Sequence, residues 1–293
     1  AGLSTKDDQL RRIRSVFAAH LSCTALDVKS SELQLSIDNH GAKVSAARAA
    51  GYLTPVLHWA ERRDLVIGDF NLEKPLQDAP RQKVLTEVEL SALLPTFKSH
   101  HGVCAKFMLL TGARITETTG AFWSQIDLEA KTWTIPPENL KDTRALQARR
   151  HKPKVALVIP LSRQAIDLLL EARMAEVARQ QLDGPTKENL QKDFLFVGPR
   201  GAKLGNWDRW LKATTAKTGI AGWSAHALRR TTATLAGDLG APPHIVSVIL
   251  GHSNVGGQLV AGYNQSTYGS EHQQILQHVA DKLEVIEGGE SNG

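Results

Sequence analysis

The chain has 293 residues, 42% of them hydrophobic and 22% charged, with a formal net charge of +5. At about 150 residues per domain this is enough for two packed cores, and the mild positive balance permits nucleic acid as a partner without requiring it. Cys23 and Cys104 are too few and too far apart for a disulfide framework or a cysteine zinc site. The amino terminus is charged throughout and no run reaches membrane-spanning length, so the expectation is a reduced, cytoplasmic protein with no membrane partner.

In chain order, Leu10, Ile13, Val16 and Phe17 fall at helical spacing, and a second apolar series runs Val44, Ala47, Leu53, Val56, Leu57 and Ala60. Pro55 is expected to kink or split this second helix, and Tyr52 reads most simply as core. From about Asn71 to Val84 prolines and charges replace periodicity, which marks a linker. The expected domains are therefore 1–80, small and helical, and 81–293. The second opens at Thr86, where Thr86 and Glu89 have capping-box spacing ahead of Leu90, Leu93 and Leu94. Then come a turn at 127–131, a short strand TWTI (132–135) and a second apolar strand VALVIPL (155–161). Ser162 caps a helix bearing Ile166, Leu169, Leu170 and Val177. Periodicity stays helical from Asn206 onward, including a helix opened by Pro242 and Pro243 that buries Ile245, Val248 and Ile249 and stops at Gly251. The fold class is mainly α, with one small antiparallel sheet in the larger domain.

Reactive residue types concentrate in four segments: TGARITE (111–117), ENLKD (138–142), HALRR (226–230) and LGHSNVGGQLVAGYNQSTY (250–268). Each alone is what an ordinary surface would show, but together they supply what attack on a phosphodiester needs. Arg114 and Arg229 have planar forks that can clamp one phosphate from two sides. His226 and Arg229 are three residues apart on a helix capped by Ser224, so they share a face, as an ordinary polar face also would. His252 follows a glycine helix stop, where it can act on a phosphate or answer the helix dipole. Lys141 stands at the stem of a run with Arg144, Arg149, Arg150, Lys152 and Lys154 against one acid, Asp142. This is either a solvated loop or a hairpin against a DNA backbone. Lys141 could protonate a leaving alkoxide. Tyr263, directly after Gly262, could be the nucleophile. A phenol with a pKa of about 10 remains a usable leaving group, so the strand can be resealed without a nucleotide cofactor. Tyr268 competes with it. No P-loop, EF-hand or zinc spacing is present, so no metal or cofactor is expected.

In this order the segments resemble the tyrosine recombinases, the integrases of phages and genomic islands, over residues 84–283, most specifically in the run from HALRR through LGH to the tyrosine. The resemblance implies a site-specific recombinase with Arg114 and Arg229 as the arginine pair and Lys141 as general acid toward the 5′ oxygen. It makes Tyr263 the nucleophile of a 3′ phosphotyrosine, His226 the proton-handling residue and His252 the second histidine that orients the phosphate. Glu117 matches a supporting position and is read as structural. AGYNQSTY favours Tyr263 over Tyr268. The loop after Lys141 is longer than in relatives, which leaves Lys152 or Lys154 as substitutes. The amino-terminal arm-binding domain of relatives is absent, and Ala1 in place of Met leaves room for preceding sequence.

By the same resemblance residues 1–80 bind the core DNA site. The partners are a double-stranded recombination site and three further protomers on two duplexes, with a dimer or monomer in the absence of DNA. The amphipathic helix at 270–286 then packs on a neighbour, or alternatively on its own domain. DNA contacts are expected from among Lys43, Arg48, Arg149, Arg150, Lys152, Lys154 and Lys203. A monomeric type IB topoisomerase and an inactive DNA-binding relative are the rival readings.

Overall fold

The computed structural model describes residues 5–75, 82–140, 156–183, 193–198, 203–251 and 269–289. The chain divides into two compact units, Ala1–Pro80 and Arg81–Gly293. In the first, α1 (Thr5–Val16), α2 (Ser30–Asp38) and α3 (Lys43–Glu61) enclose a core of Phe17, Leu33, Ile37, Ala46, Ala49, Ala50, Leu57 and Phe70. The buried face of α3 is largely alanine, which lets α1 approach its backbone closely. This reverses part of the expected pattern. Val44 and Val56 lie on the outer face at 50% and 55% exposure, Trp59 is exposed one turn beyond Val56, and Tyr52 is half-buried. Pro55 does not split the helix. It lacks the N–H that would bond to Gly51, and the preceding Thr54 hydroxyl donates to the Ala50 carbonyl at 2.9 Å, so that turn keeps an internal bond. Beyond α3 the chain returns to the core through Phe70 and Leu72. The Gln34 amide pairs with both backbone groups of Glu73.

The second unit is mainly helical around a small sheet, as expected. Its α4 (Glu87–Leu93) carries the capping box of Thr86 and Glu89. The next helix, α5 (His100–Thr111), is buried on nearly every side through Cys104, Ala105, Phe107, Met108, Leu109 and Leu110, and forms the axis of the core. After the short α6 (Ile115–Thr119) come β1 (Ile126–Asp127), β2 (Thr132–Ile135) and β3 (Leu157–Pro160), antiparallel in that order. Trp133 pairs with Ile159 and points inward, its indole N–H donating to Gln125 at 3.2 Å. Ser162 accepts from Ala165 N–H and starts α7 (Arg163–Asp183). Leu169 is buried there. Leu170 and Val177, read from the sequence as part of the same apolar series, are exposed together with Met174, while Ala165 and Leu169 are fully buried.

The remaining helices are α8 (Trp207–Thr218), α9 (Ala225–Asp238), α10 (Pro243–Ile249) and α11 (Gly269–Gly288). In α10 Ile245 and Ile249 are buried and Val248 half-buried. No helix among the described residues is long and apolar enough to cross a membrane. Within this single chain α11 packs on its own unit. Leu276, Val279, Ala280, Leu283 and Ile286 are buried, and Lys106, Arg163, Gln164 and Glu87 bond to Glu287, Glu284, Asp281 and Lys282 along its flanks.

His272, near the start of α11, is buried, its Nε2 has no hydrogen-bond partner among the described residues, and burial lowers its pKa to about 4. The unfolded chain takes up this proton below about pH 6.5, so stability falls as pH drops from 6.5 toward 4, by about 3 kcal/mol in total. Chemical denaturation between pH 7 and pH 4 should show His272→Phe losing markedly less stability than the parent. Parallel losses in the two proteins would refute this assignment.

Candidate active site

The site is built where two helix C-termini and two helix N-termini meet. Gly112 ends α5 in a left-handed conformation (φ 66°), and a Cβ there would lie 2.9 Å from Ile249, so only glycine lets the end of α5 meet α10. Two residues later Arg114 occupies the N-cap of α6. Glu117, 1% exposed, accepts from the Arg114 backbone N–H at 2.8 Å and from its Nη1 at 2.7 Å. A carboxylate so buried is tolerable because both oxygens are bonded and one faces a cation.

Arg229 comes from α9, whose first turn is capped by Ser224 accepting from Ala227 N–H. It is 4% exposed, and its two terminal nitrogens donate to the carbonyls of Gly112 and Leu250. Arg114 Nη2 also points at Leu250, at 3.4 Å. Both acceptors are C-cap residues, Gly112 of α5 and Leu250 of α10, whose carbonyls have no partner within the helix and carry the negative end of its dipole. The guanidinium groups therefore act as C-caps. Burial, and then the charge of Arg114, lower the Arg229 pKa to about 10, with Glu117 opposing the shift. Arg229 is thus a cation at neutral pH. Among the described residues one buried and one part-buried positive charge face the Glu117 carboxylate, which leaves a net positive, donor-rich site suited to an oxyanion.

Of the other candidates, His226 is exposed on the first turn of α9, while Arg229, one turn on, is turned inward. Gly251 is left-handed (φ 54°), and a Cβ there would lie 3.0 Å from Leu157 and 3.8 Å from Arg114 Nη1, so the backbone just before His252 runs beside the arginine and the start of β3. Lys203 is exposed, its ammonium 3.7 Å from where a Cβ on Gly120 would stand, at the far end of α6 from Arg114. Lys43 and Arg48 are exposed residues of α3 in the first unit, and Lys43 Nζ donates to the Asp38 carbonyl at 2.9 Å. Lys141, Arg149, Arg150, Lys152, Lys154, His252, Tyr263 and Tyr268 lie outside the described residues. Among the described residues no group of three or more His, Cys, Asp or Glu could hold a metal ion. The sequence reading missed the Gly112 and Leu250 carbonyls, because backbone acceptors leave no mark in side-chain identity. The role of Glu117 was visible in its three-residue spacing from an N-cap arginine.

Residues 83–269 match the phage integrase family. The prophage integrase IntA of Escherichia coli K12 is 23% identical over 97% of this chain. A tyrosine recombinase XerC-like protein of Caldanaerobacter subterraneus subsp. tengcongensis is 28% identical over 60% of it. The chain spans 66% and 50% of the lengths of these two relatives. Among solved structures, the Tn1549 transposon integrase in complex with circular intermediate DNA superposes with a TM-score of 0.64 at 18% identity, covering 94% of each chain. At that identity the likeness concerns the fold.

An oxyanion should therefore stabilise the site. With a dissociation constant on the order of 10 mM, 50 mM sulfate contributes about 1 kcal/mol, a rise of about 2–4 °C in Tm over chloride at equal ionic strength. Arg114→Gln should remove most of that difference while keeping the general stabilisation that sulfate gives any protein. Equal increments in the two proteins would show that the arginine pair holds no anion.

Proposed function

Because the chain belongs to the phage integrase family, we propose that it is a site-specific DNA recombinase that cuts and rejoins strands through a 3′ phosphotyrosine on Tyr263. The observation that carries this reading is the Arg114–Arg229 pair, assembled on helix C-termini and directed at the residue two before His252. The Tyr263 phenol oxygen attacks the scissile phosphorus and the bond to the 5′ oxygen breaks. Arg114 and Arg229 hold the non-bridging oxygens as charge builds on them. Lys141 donates a proton to the departing 5′ oxygen, His226 handles the proton of the nucleophile, and His252 orients the phosphate. Attack by the 5′ hydroxyl of a second strand reverses the sequence and conserves the phosphoester bond energy. The helices on either side of the 252–268 stretch, α10 and α11, both pack in the second unit, which supports a tyrosine acting at the arginine pair of its own chain.

The first unit, residues 1–80, is proposed to bind the core site, and residues 81–293 to be the catalytic domain with its tail helix. On α3, Val44, Arg48, Tyr52, Val56 and Trp59 form one outward stripe with no acidic residue, extended past the helix by Arg63 over the Trp59 ring, and suited to lie against DNA. Arg48 is the better candidate there, since Lys43 already serves the Asp38 carbonyl. Arg149, Arg150, Lys152, Lys154 and Lys203 would contact the backbone near the cut. Exchange between two duplexes cuts four strands with one tyrosine each, so the active assembly is proposed to be a tetramer on two duplexes, formed on DNA from monomers or dimers in the cytoplasm.

A nicked suicide DNA carrying the cognate site should become covalently attached at Tyr263, located by mass spectrometry of the trapped peptide. Attachment at Tyr268 would overturn the nucleophile. Relaxation of supercoils with no recombinant product would overturn the recombinase. If Lys141 is the general acid, Lys141→Ala should lower cleavage by roughly 100-fold or more. Replacing the 5′ bridging oxygen with sulfur should restore most of that rate, because a thiolate leaves without a proton. Absence of rescue, or the same behaviour from Lys152→Ala, would move the role away from Lys141.

A further inference from the structure

The stretch by which the chain enters the second unit is welded to the helix that carries Arg229, and the joint is one hydroxyl group. Thr231, fully buried, accepts a hydrogen bond from the Leu85 backbone N–H at 2.9 Å and donates to the Ala227 carbonyl at 2.9 Å. Donation to the residue four before is common for a helical threonine. Acceptance from a main-chain group 146 residues away is a tertiary contact, made two residues past Arg229 by a hydroxyl that also bonds Ala227, between His226 and Arg229.

The partner segment is itself held in place. Leu85 is buried, Glu89 takes the Thr86 N–H and the Lys83 ammonium, and Glu87 pairs with Lys282 of α11 at 2.8 Å. The next residue of α9, Thr232, donates to the Leu109 carbonyl at 2.8 Å and so ties the helix to α5. Adjacent hydroxyls thus fix α9 to two separate supports, and two supports set its rotation as well as its position. Rotation matters because Arg229 must reach the Gly112 and Leu250 carbonyls together, and a displacement on the order of 1 Å at such a site can lower a rate by about 100-fold.

We infer that Thr231 is a positioning residue of the arginine pair, acting through the azimuth of α9 rather than by contact with DNA. The kinetic readout of this inference rests on the DNA-cleaving reading, and the anion readout does not. Thr231→Val keeps the shape and removes the hydroxyl. It should slow covalent-complex formation about tenfold in single-turnover assays, leave DNA affinity within about twofold, and at least halve the sulfate-dependent rise in Tm. Thr231→Ser keeps the hydroxyl and loses a buried methyl. It should melt lower than the parent yet cleave within about twofold of it. Thr231→Cys, a weaker hydrogen-bonding group, should fall between and serves if the valine protein does not fold. Rate that follows Tm across the series, with Ser as slow as Val or Cys, would reduce Thr231 to a packing residue. Parental rate and parental sulfate response in Val would do the same. If the parent forms no covalent complex, the cleavage reading fails, and the sulfate response of the series still decides the role of Thr231.

Discussion

Arg114 and Arg229 direct their guanidinium groups at one main-chain oxygen, that of Leu250, with Glu117 as the one carboxylate among the described residues that offsets their two positive charges. Left to themselves these groups would separate into solvent. Holding Arg229 at a pKa of about 10 disfavours its charged form by about 3 kcal/mol relative to an exposed arginine, and the packing around it has to supply that energy. The structure does so with α5, which is buried on nearly every side and whose C-terminal carbonyl at Gly112 is the second acceptor of Arg229.

The backbone carries as much of this work as the side chains. Glycine at 112 and 251 takes the left-handed conformation that ends one helix and turns the chain after another, and in both places a Cβ would press on a neighbour of the arginine pair. Arginines that fill the unpaired carbonyls of α5 and α10 are fixed by helix geometry, so their donors are preorganised and little reorganisation remains for the moment an oxyanion arrives. Thr231 extends the same economy to α9, since its hydroxyl satisfies a helix carbonyl and a tertiary N–H at once, while the Thr232 hydroxyl donates to the Leu109 carbonyl of α5.

Much of the fold was legible because its signals are local. The capping box of Thr86 and Glu89, the TWTI strand, the Ser162 and Ser224 caps and the glycine stop at 251 all depend on residues within a few positions of one another. The failures concern which way a helix is turned. Val44 and Val56 outrank alanine on any hydrophobic scale, yet the alanine stripe of α3 is buried because α1 comes too close for larger side chains. On α7, Leu170 and Val177 are exposed while Ala165 and Leu169 are buried. The arginines could be picked out by type and order. That the Gly112 and Leu250 carbonyls hold them depends on residues up to 136 positions apart, which periodicity does not encode.

That division bears on how the protein is expected to evolve. Helices read correctly from caps and periodicity form the scaffold, and many sequences would satisfy them. Glu117, read from the sequence as structural, and Gly112, which that reading did not single out, restrain the two cations at once. A substitution there leaves a charge or a carbonyl unsatisfied inside the unit, a loss on the order of 1–3 kcal/mol against a domain stability of about 5–15 kcal/mol. Stability and anion binding are therefore coupled through the same atoms. A bound oxyanion would supply the negative charge that the fold withholds from Arg229, so occupancy of the site by such a group would add to the stability of the unit.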